Sequence, residues 1–136
     1  MLERLVTGLA ALLMMAAIAQ AANHTDDSLD KVRQNLGDKK AVLIDVREPA
    51  EWNRGHLEEA SLVPLSELRK LPTDEQVQKK HAPSLPKDRI IYCHCGSGVR
   101  VLTAAAILGK LGYEIRPLSA GFEDLLEAGF PQAKKP

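Results

Sequence analysis

Cys93 and Cys95, with His94 between them, are the only cysteines in a chain of 136 residues. A bridge between positions this close would shut almost no loop, and loop closure is the main source of a disulfide's stabilisation, so a structural disulfide is poorly motivated. Reactivity or metal binding is the better question. The Cys-His-Cys set has soft donors suited to Cu(I), yet three adjacent donors with two on a regular strand are badly preorganised, and no metal is expected. After Cys95 come Gly96, Ser97, Gly98, Val99 and Arg100. Two glycines let the backbone curl, and curled N–H groups beside the positive end of a helix form a concave anion site. A thiolate at the start of such a loop lies inside that field and becomes nucleophilic at neutral pH. Arg100 adds a fixed positive charge at the rim. Cys95 is therefore the candidate nucleophile and residues 96–100 the candidate substrate-binding loop. The plainer reading of the same residues is a small buried cysteine before a glycine turn. Cys93 leans to the same side of a strand as Cys95, which leaves it as a resolving thiol, a metal ligand or an inert small residue.

The elements that must carry this loop follow from periodicity. Residues 89–94 read as a strand buried on both faces, and Val101, Leu102, Ala105, Leu108 and Leu111 then recur at helical spacing until Gly112. Strand, glycine-rich loop and helix place Cys95 at the carboxyl end of a strand, where open α/β sheets keep their sites. Upstream, Leu29, Val32, Arg33 and Leu36 form a helical stripe ended by Gly37, and residues 41–46 are a continuous apolar run typical of a buried parallel strand. Pro49 opens a short helix over residues 50–54, which Gly55 stops. Residues 60–63 are a shorter strand, residues 66–71 and 73–80 short helices parted by Pro72, residues 115–118 a last strand and 122–128 a last helix. Strands alternating with helices predict one α/β domain, a central parallel sheet with helices on both faces.

Asp45 and Arg47 end the first strand. A charge on a buried element is costly unless paired, so Asp45, Arg47 and Glu51 are expected to form a supporting network that ties strand to helix. Trp52 is expected to pack in the core, and His24 and His81 to be solvated loop residues.

Together these residues resemble a family, the rhodanese or thiosulfate sulfurtransferase domain. The loop from Cys95 to Arg100 matches its Cys-x-Ser-Gly-x-Arg form. Ile44, Asp45, Val46 and Arg47, followed by Glu51 and Trp52, then Gly55, His56 and Leu57, then Ala60, match its upstream signature in order and spacing, and Gly121, Phe122 and Glu123 resemble its C-terminal one. Four residues separate Cys95 from Arg100; the similar loop of Cys-dependent phosphatases has one more, so the smaller sulfurtransferase loop is implied. The resemblance implies attack by Cys95 on a sulfane sulfur, a persulfide, and transfer to cyanide or a thiol, with no metal or organic cofactor. It implies for His56 the pinning of its loop. Gly96, Ala120 and Leu125 depart from the family's usual larger residue, Gly and Trp at those places. The likeness is to periplasmic single-domain rhodaneses of the phage-shock type; a non-catalytic rhodanese-like binding or sulfur or metal carrier module is the alternative.

Residues 5–22 carry no charge, and the apolar stretch from Val6 to Ala19 runs into the small residues Ala21 and Ala22. Residues 1–21 thus read as a secretory signal peptide, residues 22–136 as the mature domain with its core at about 28–131, and the expected location is the periplasm, with no lasting membrane insertion after cleavage. An uncharged run of this length is also just enough for an uncleaved anchor. Lys and Arg total 18 against 18 Asp and Glu, so there is no basic footprint for nucleic acid. Five aromatic residues leave no platform for stacking bases. The expected partners are a small anionic donor such as thiosulfate and a cyanide or thiol acceptor.

Overall fold

The computed structural model describes residues 22–135, so the expected signal segment lies outside the described residues. Four of the expected segments become strands β1 (Ala41–Asp45), β2 (Ala60–Leu62), β3 (Ile90–His94) and β4 (Ile115–Pro117), all parallel, in the order β2-β1-β3-β4. β1 and β3 pair over their full length, from Ala41 with Ile90 to Asp45 with His94. Both are buried along nearly the whole strand, which is why their sequences are continuous apolar runs and do not alternate.

The two sheet faces are covered separately. Ile44, Ile91, Cys93 and Cys95 pack with Val77, Val101, Ala104 and Leu108, while Leu43 and Tyr92 pack with Val32, Leu57, Leu125 and Phe130. The first face is closed by α3 (Leu65–Leu68), α4 (Asp74–His81) and α5 (Arg100–Lys110), the second by α1 (Leu29–Gly37) and α6 (Phe122–Glu127). The expected α/β architecture is therefore the one observed. Local caps agree with the sequence: the Ser28 hydroxyl accepts from Lys31 N–H at 3.1 Å, and Thr73 caps α4 through Gln76 N–H at 3.2 Å. Among the described residues no helix is long and apolar enough to cross a membrane.

Two expectations fail here. His81 is not a solvated loop residue. It ends α4 four positions after buried Val77, on the same helical stripe, with Nε2 at 3.1 Å from the Glu67 carboxylate, and burial pushes its pKa down. Trp52 is not core. It lies on α2 (Pro49–Arg54), which buries none of its residues, and its ring stacks on His56 at 3.6 Å with planes 3° apart.

The segment before α1 is strapped onto the sheet edge. Thr25 N–H donates to the Pro117 carbonyl at 2.8 Å, and the Asp27 carboxylate accepts from Tyr92 Oη at 2.6 Å and from Arg116 at 2.8 Å. Tyr92 in turn accepts from Asn35 at 2.9 Å, so the buried phenol has both a donor and an acceptor.

Candidate active site

Cys95 directly follows β3, between the ends of β1 and β4. Main-chain bonds clamp this point: Val46 N–H donates to the His94 carbonyl at 3.0 Å, Leu118 N–H to that of Cys93 at 2.9 Å, and Phe122 N–H to that of Cys95 at 2.9 Å. The nucleophile candidate is thus fixed from β1, from the end of β4 and from the first turn of α6. Its side chain is fully buried, and Gly98 N–H donates to Sγ at 3.2 Å. A main-chain N–H is thus aimed at the sulfur from within the loop.

The loop is held in this curl by a second loop. Gly98 has φ of +85°, and a Cβ there would strike the Ser119 carbonyl; a Cβ on Gly121 would strike that of Gly96. Neither position has room for a side chain, so residues 95–99 and 119–121 interlock backbone to backbone. His24, expected to be a solvated loop residue, is exposed, and it also donates from Nε2 to the Gly98 carbonyl at 2.6 Å. The N–H of Gly98 is therefore on the sulfur and its carbonyl, in the next peptide group, on an imidazole. No sequence signal marks His24, which stands in a polar segment without periodicity.

Of the loop residues, Gly96, Ser97 and Val99 are exposed and Gly98 is buried. Arg100, the first residue of α5, is not a free cation at the rim: Nη1 and Nη2 fork onto Glu51 Oε1 and Oε2 at 2.6 and 2.9 Å. This also corrects the expected Asp45, Arg47 and Glu51 network. Asp45 and Arg47 satisfy each other, with Arg47 Nε at 3.0 Å and Nη2 at 2.8 Å from the carboxylate, and Nη2 donates further to the Gly55 carbonyl at 2.8 Å. Their pair is buried and both carboxylate oxygens accept hydrogen bonds from Arg47, the condition under which a buried ion pair is tolerated. Glu51 is left free to face the loop. It also accepts from Glu48 N–H at 3.1 Å in the cap of α2, and the Arg100 guanidinium holds its carboxyl down at about 2.

His56 donates from Nδ1 to the Trp52 carbonyl at 3.0 Å and stacks on the indole, closing the turn after α2. Strand alternation separates the Cys-His-Cys set: Cys93 and Cys95 face one side, while His94 lies on the other, fully buried, 3.7 Å from Asp45 and stacked near Phe122. Among the described residues no three His, Cys, Asp or Glu side chains gather as a metal set. Burial, with the neighbouring Cys95 adding to it, pushes the Cys93 thiol well up, and its Sγ donates weakly to the Val101 carbonyl at 3.9 Å. A thiol kept protonated in the core is a poor resolving nucleophile.

The sequence pattern of the family described as "Rhodanese-like domain" matches residues 28–128. A mitochondrial protein of Schizosaccharomyces pombe, named provisionally as a thiosulfate sulfurtransferase, is 40% identical over 86 residues, 60% of this chain and 60% of that protein. YqhL of Bacillus subtilis is 40% identical over 88 residues, 64% of this chain and 62% of its own. The chain thus spans less than two thirds of the length of these curated relatives. Among solved structures, the human single-domain sulfurtransferase TSTD1 has a TM-score of 0.63 and 28% identity, covering 74% of this chain and 94% of that one. A rhodanese-related protein of Thermoplasma volcanium has a TM-score of 0.61 at 26% identity, covering 78% and 94%.

Proposed function

Since the chain belongs to the rhodanese-like family as a single-domain member, we propose that it is a sulfurtransferase that carries a sulfane sulfur on Cys95. The observation that carries this reading is the Gly98 N–H on Cys95 Sγ at 3.2 Å, at the carboxyl end of a central strand. In the first step the Cys95 thiolate attacks the outer sulfur of a donor, thiosulfate being the simplest. The donor's S–S bond breaks, its electron pair leaves with sulfite, and Cys95 becomes a persulfide. In the second step cyanide or a thiolate attacks the terminal sulfur and the Cys95 thiolate leaves. This is nucleophilic catalysis in two easier halves. Sulfur moves without an external oxidant or reductant, so the reaction calls for no metal or organic cofactor. The loop N–H groups at the start of α5 serve the charge on the sulfur and on the departing group.

The complete cover over Cys95 favours a second reading, a rhodanese-like module that binds or carries without turnover. Mass spectrometry separates the two: after treatment with thiosulfate the purified protein should gain one sulfur atom, located at Cys95 and removed by cyanide with release of thiocyanate. A protein that takes up no sulfur from any sulfane donor would support the binding module.

The proposed location is the periplasm, on the strength of the uncharged segment within residues 5–22. Expressed in a Gram-negative host, the periplasmic protein should begin at or within a few residues of Ala22 by N-terminal sequencing. An intact Met1 in the membrane fraction would replace this with an anchored enzyme.

A further inference from the structure

The segment before α1 is anchored to the sheet without His24, by Thr25 on the Pro117 carbonyl and by Asp27 on Tyr92 and Arg116. The bond from His24 Nε2 lands elsewhere, on the Gly98 carbonyl at 2.6 Å. A carbonyl only accepts, so Nε2 carries the proton, and both the neutral Nε2–H tautomer and the imidazolium donate there. That carbonyl lies outside the hydrogen-bond ladder of α5, because the Leu102 N–H goes to Val99. It belongs to the trans peptide group that joins Gly98 to Val99, whose N–H, that of Val99, points the opposite way from the carbonyl. On the other side of the same glycine is the N–H that meets Cys95 Sγ at 3.2 Å. Gly98 is the hinge about which both peptide groups can turn, since it has no side chain and its neighbours Ser97 and Val99 are exposed. His24 also stands ahead of residues 28–128, the part of the chain that matches the family.

We propose that His24 is a positioning residue for sulfur transfer: by holding the Gly98 carbonyl it fixes the peptide groups on either side of Gly98, and with them the direction of the Gly98 and Val99 N–H groups. The inference rests on the Cys95 persulfide reading above. If the 98–99 peptide group turned over, a carbonyl oxygen would stand where Val99 now presents its N–H, and the partial negative charge of that oxygen opposes a thiolate and a departing anion. Donors fixed in advance stabilise such charge without reorganising at the moment of reaction, and His24 supplies this fixity from outside the loop. A hydrogen bond to a carbonyl also polarises the N–H of the same peptide group, which makes Val99 the stronger donor. The imidazole bonds to the main chain and not to the sulfur, so its effect passes through Gly98. The donated proton does this and the charge does not, so a neutral donor of equal reach can replace it.

The test reads the rate of Cys95 loading from thiosulfate by mass spectrometry, with thermal melting beside it, in the unaltered protein, in His24→Leu and in His24→Gln. His24→Leu fills similar space without a donor, and the loss of one hydrogen bond should lower kcat/KM for loading about fivefold to tenfold. His24→Gln carries a side-chain N–H of similar reach and should bring loading back to within about twofold of the unaltered protein. His24 is exposed and the segment keeps its Thr25 and Asp27 anchors, so both variants should melt within about 3 °C of the unaltered protein. A loss that His24→Gln does not repair, or one that follows a falling melting temperature, would overturn the positioning role. Unchanged loading in His24→Leu would overturn it too, leaving the bond as a third anchor of the segment. If the unaltered protein takes up no sulfur from any sulfane donor, the persulfide reading falls and the inference with it; loading that ignores His24 overturns the inference alone.

Discussion

Cys95→Ser is expected to lose sulfur transfer from thiosulfate to cyanide by at least about a thousandfold in kcat/KM while keeping the fold, because a hydroxyl is a weak nucleophile here and cannot hold a persulfide. The substitution is nearly isosteric, and a serine oxygen can still accept the Gly98 N–H that now lies 3.2 Å from the sulfur. Folding is read by circular dichroism and thermal melting, and activity by thiocyanate release. Cys93→Ser should behave in the opposite way. Cys93 is buried in the face covered by α3, α4 and α5, so a hydroxyl there carries a desolvation cost of about 1–3 kcal/mol, partly met by the nearby Val101 carbonyl. Its melting temperature should fall, with most of the turnover retained by the folded fraction. Equal loss of turnover in the two variants, both folded, would overturn the choice of Cys95 as nucleophile.

The sequence makes the frame of this site legible. The strand before Cys95 is readable because burial on both faces leaves no polar interruption from Ile90 to Cys93. The curl after it is readable because two glycines and a helix start follow at once. What the sequence hides is pairing across the sheet. Asp45 and Arg47 are two residues apart, so their union can be anticipated locally; only proximity in the chain groups Glu51 with them. Its partner, Arg100, is 49 positions away. The signal was present but needed the strand order: Asp45 and His94 are register partners, and Glu51 and Arg100 each lie six positions beyond them. Once β1 and β3 are known to be parallel neighbours, the two helices that leave them bring these side chains together. Trp52 misleads for a related reason. An indole on an amphipathic stretch reads as core, yet α2 is one and a half turns at the sheet's carboxyl edge, and its indole rests on His56 in place of the core. His24 could not be read at all, since a hydrogen bond to a carbonyl 74 positions away leaves no mark on local pattern.

Arg100→Ala carries the second large effect, and the Glu51 pair sets its direction. A charge-assisted contact in a partly shielded site contributes about 1.5–3 kcal/mol, which corresponds to a loss of about tenfold to a hundredfold in kcat/KM for thiosulfate. The loss should fall at the upper end, because removing the guanidinium does more than delete a cation. It leaves Glu51 at the loop without the partner that holds its carboxyl down at about 2, facing the thiolate and the dianion. Arg100→Lys should recover only part, since one ammonium cannot reproduce a fork with Nη1 and Nη2 at 2.6 and 2.9 Å from the two carboxylate oxygens. Adding Glu51→Gln to Arg100→Ala should restore much of the thiosulfate rate, so the two changes are strongly non-additive in a double-mutant cycle. With an uncharged sulfur donor, which brings no dianion to the loop, the Arg100→Ala loss should be smaller. If Arg100→Ala left thiosulfate turnover unchanged, the loop N–H groups and the start of α5 would be holding the anion alone, and Arg100 would serve only to anchor α2 to α5 through Glu51.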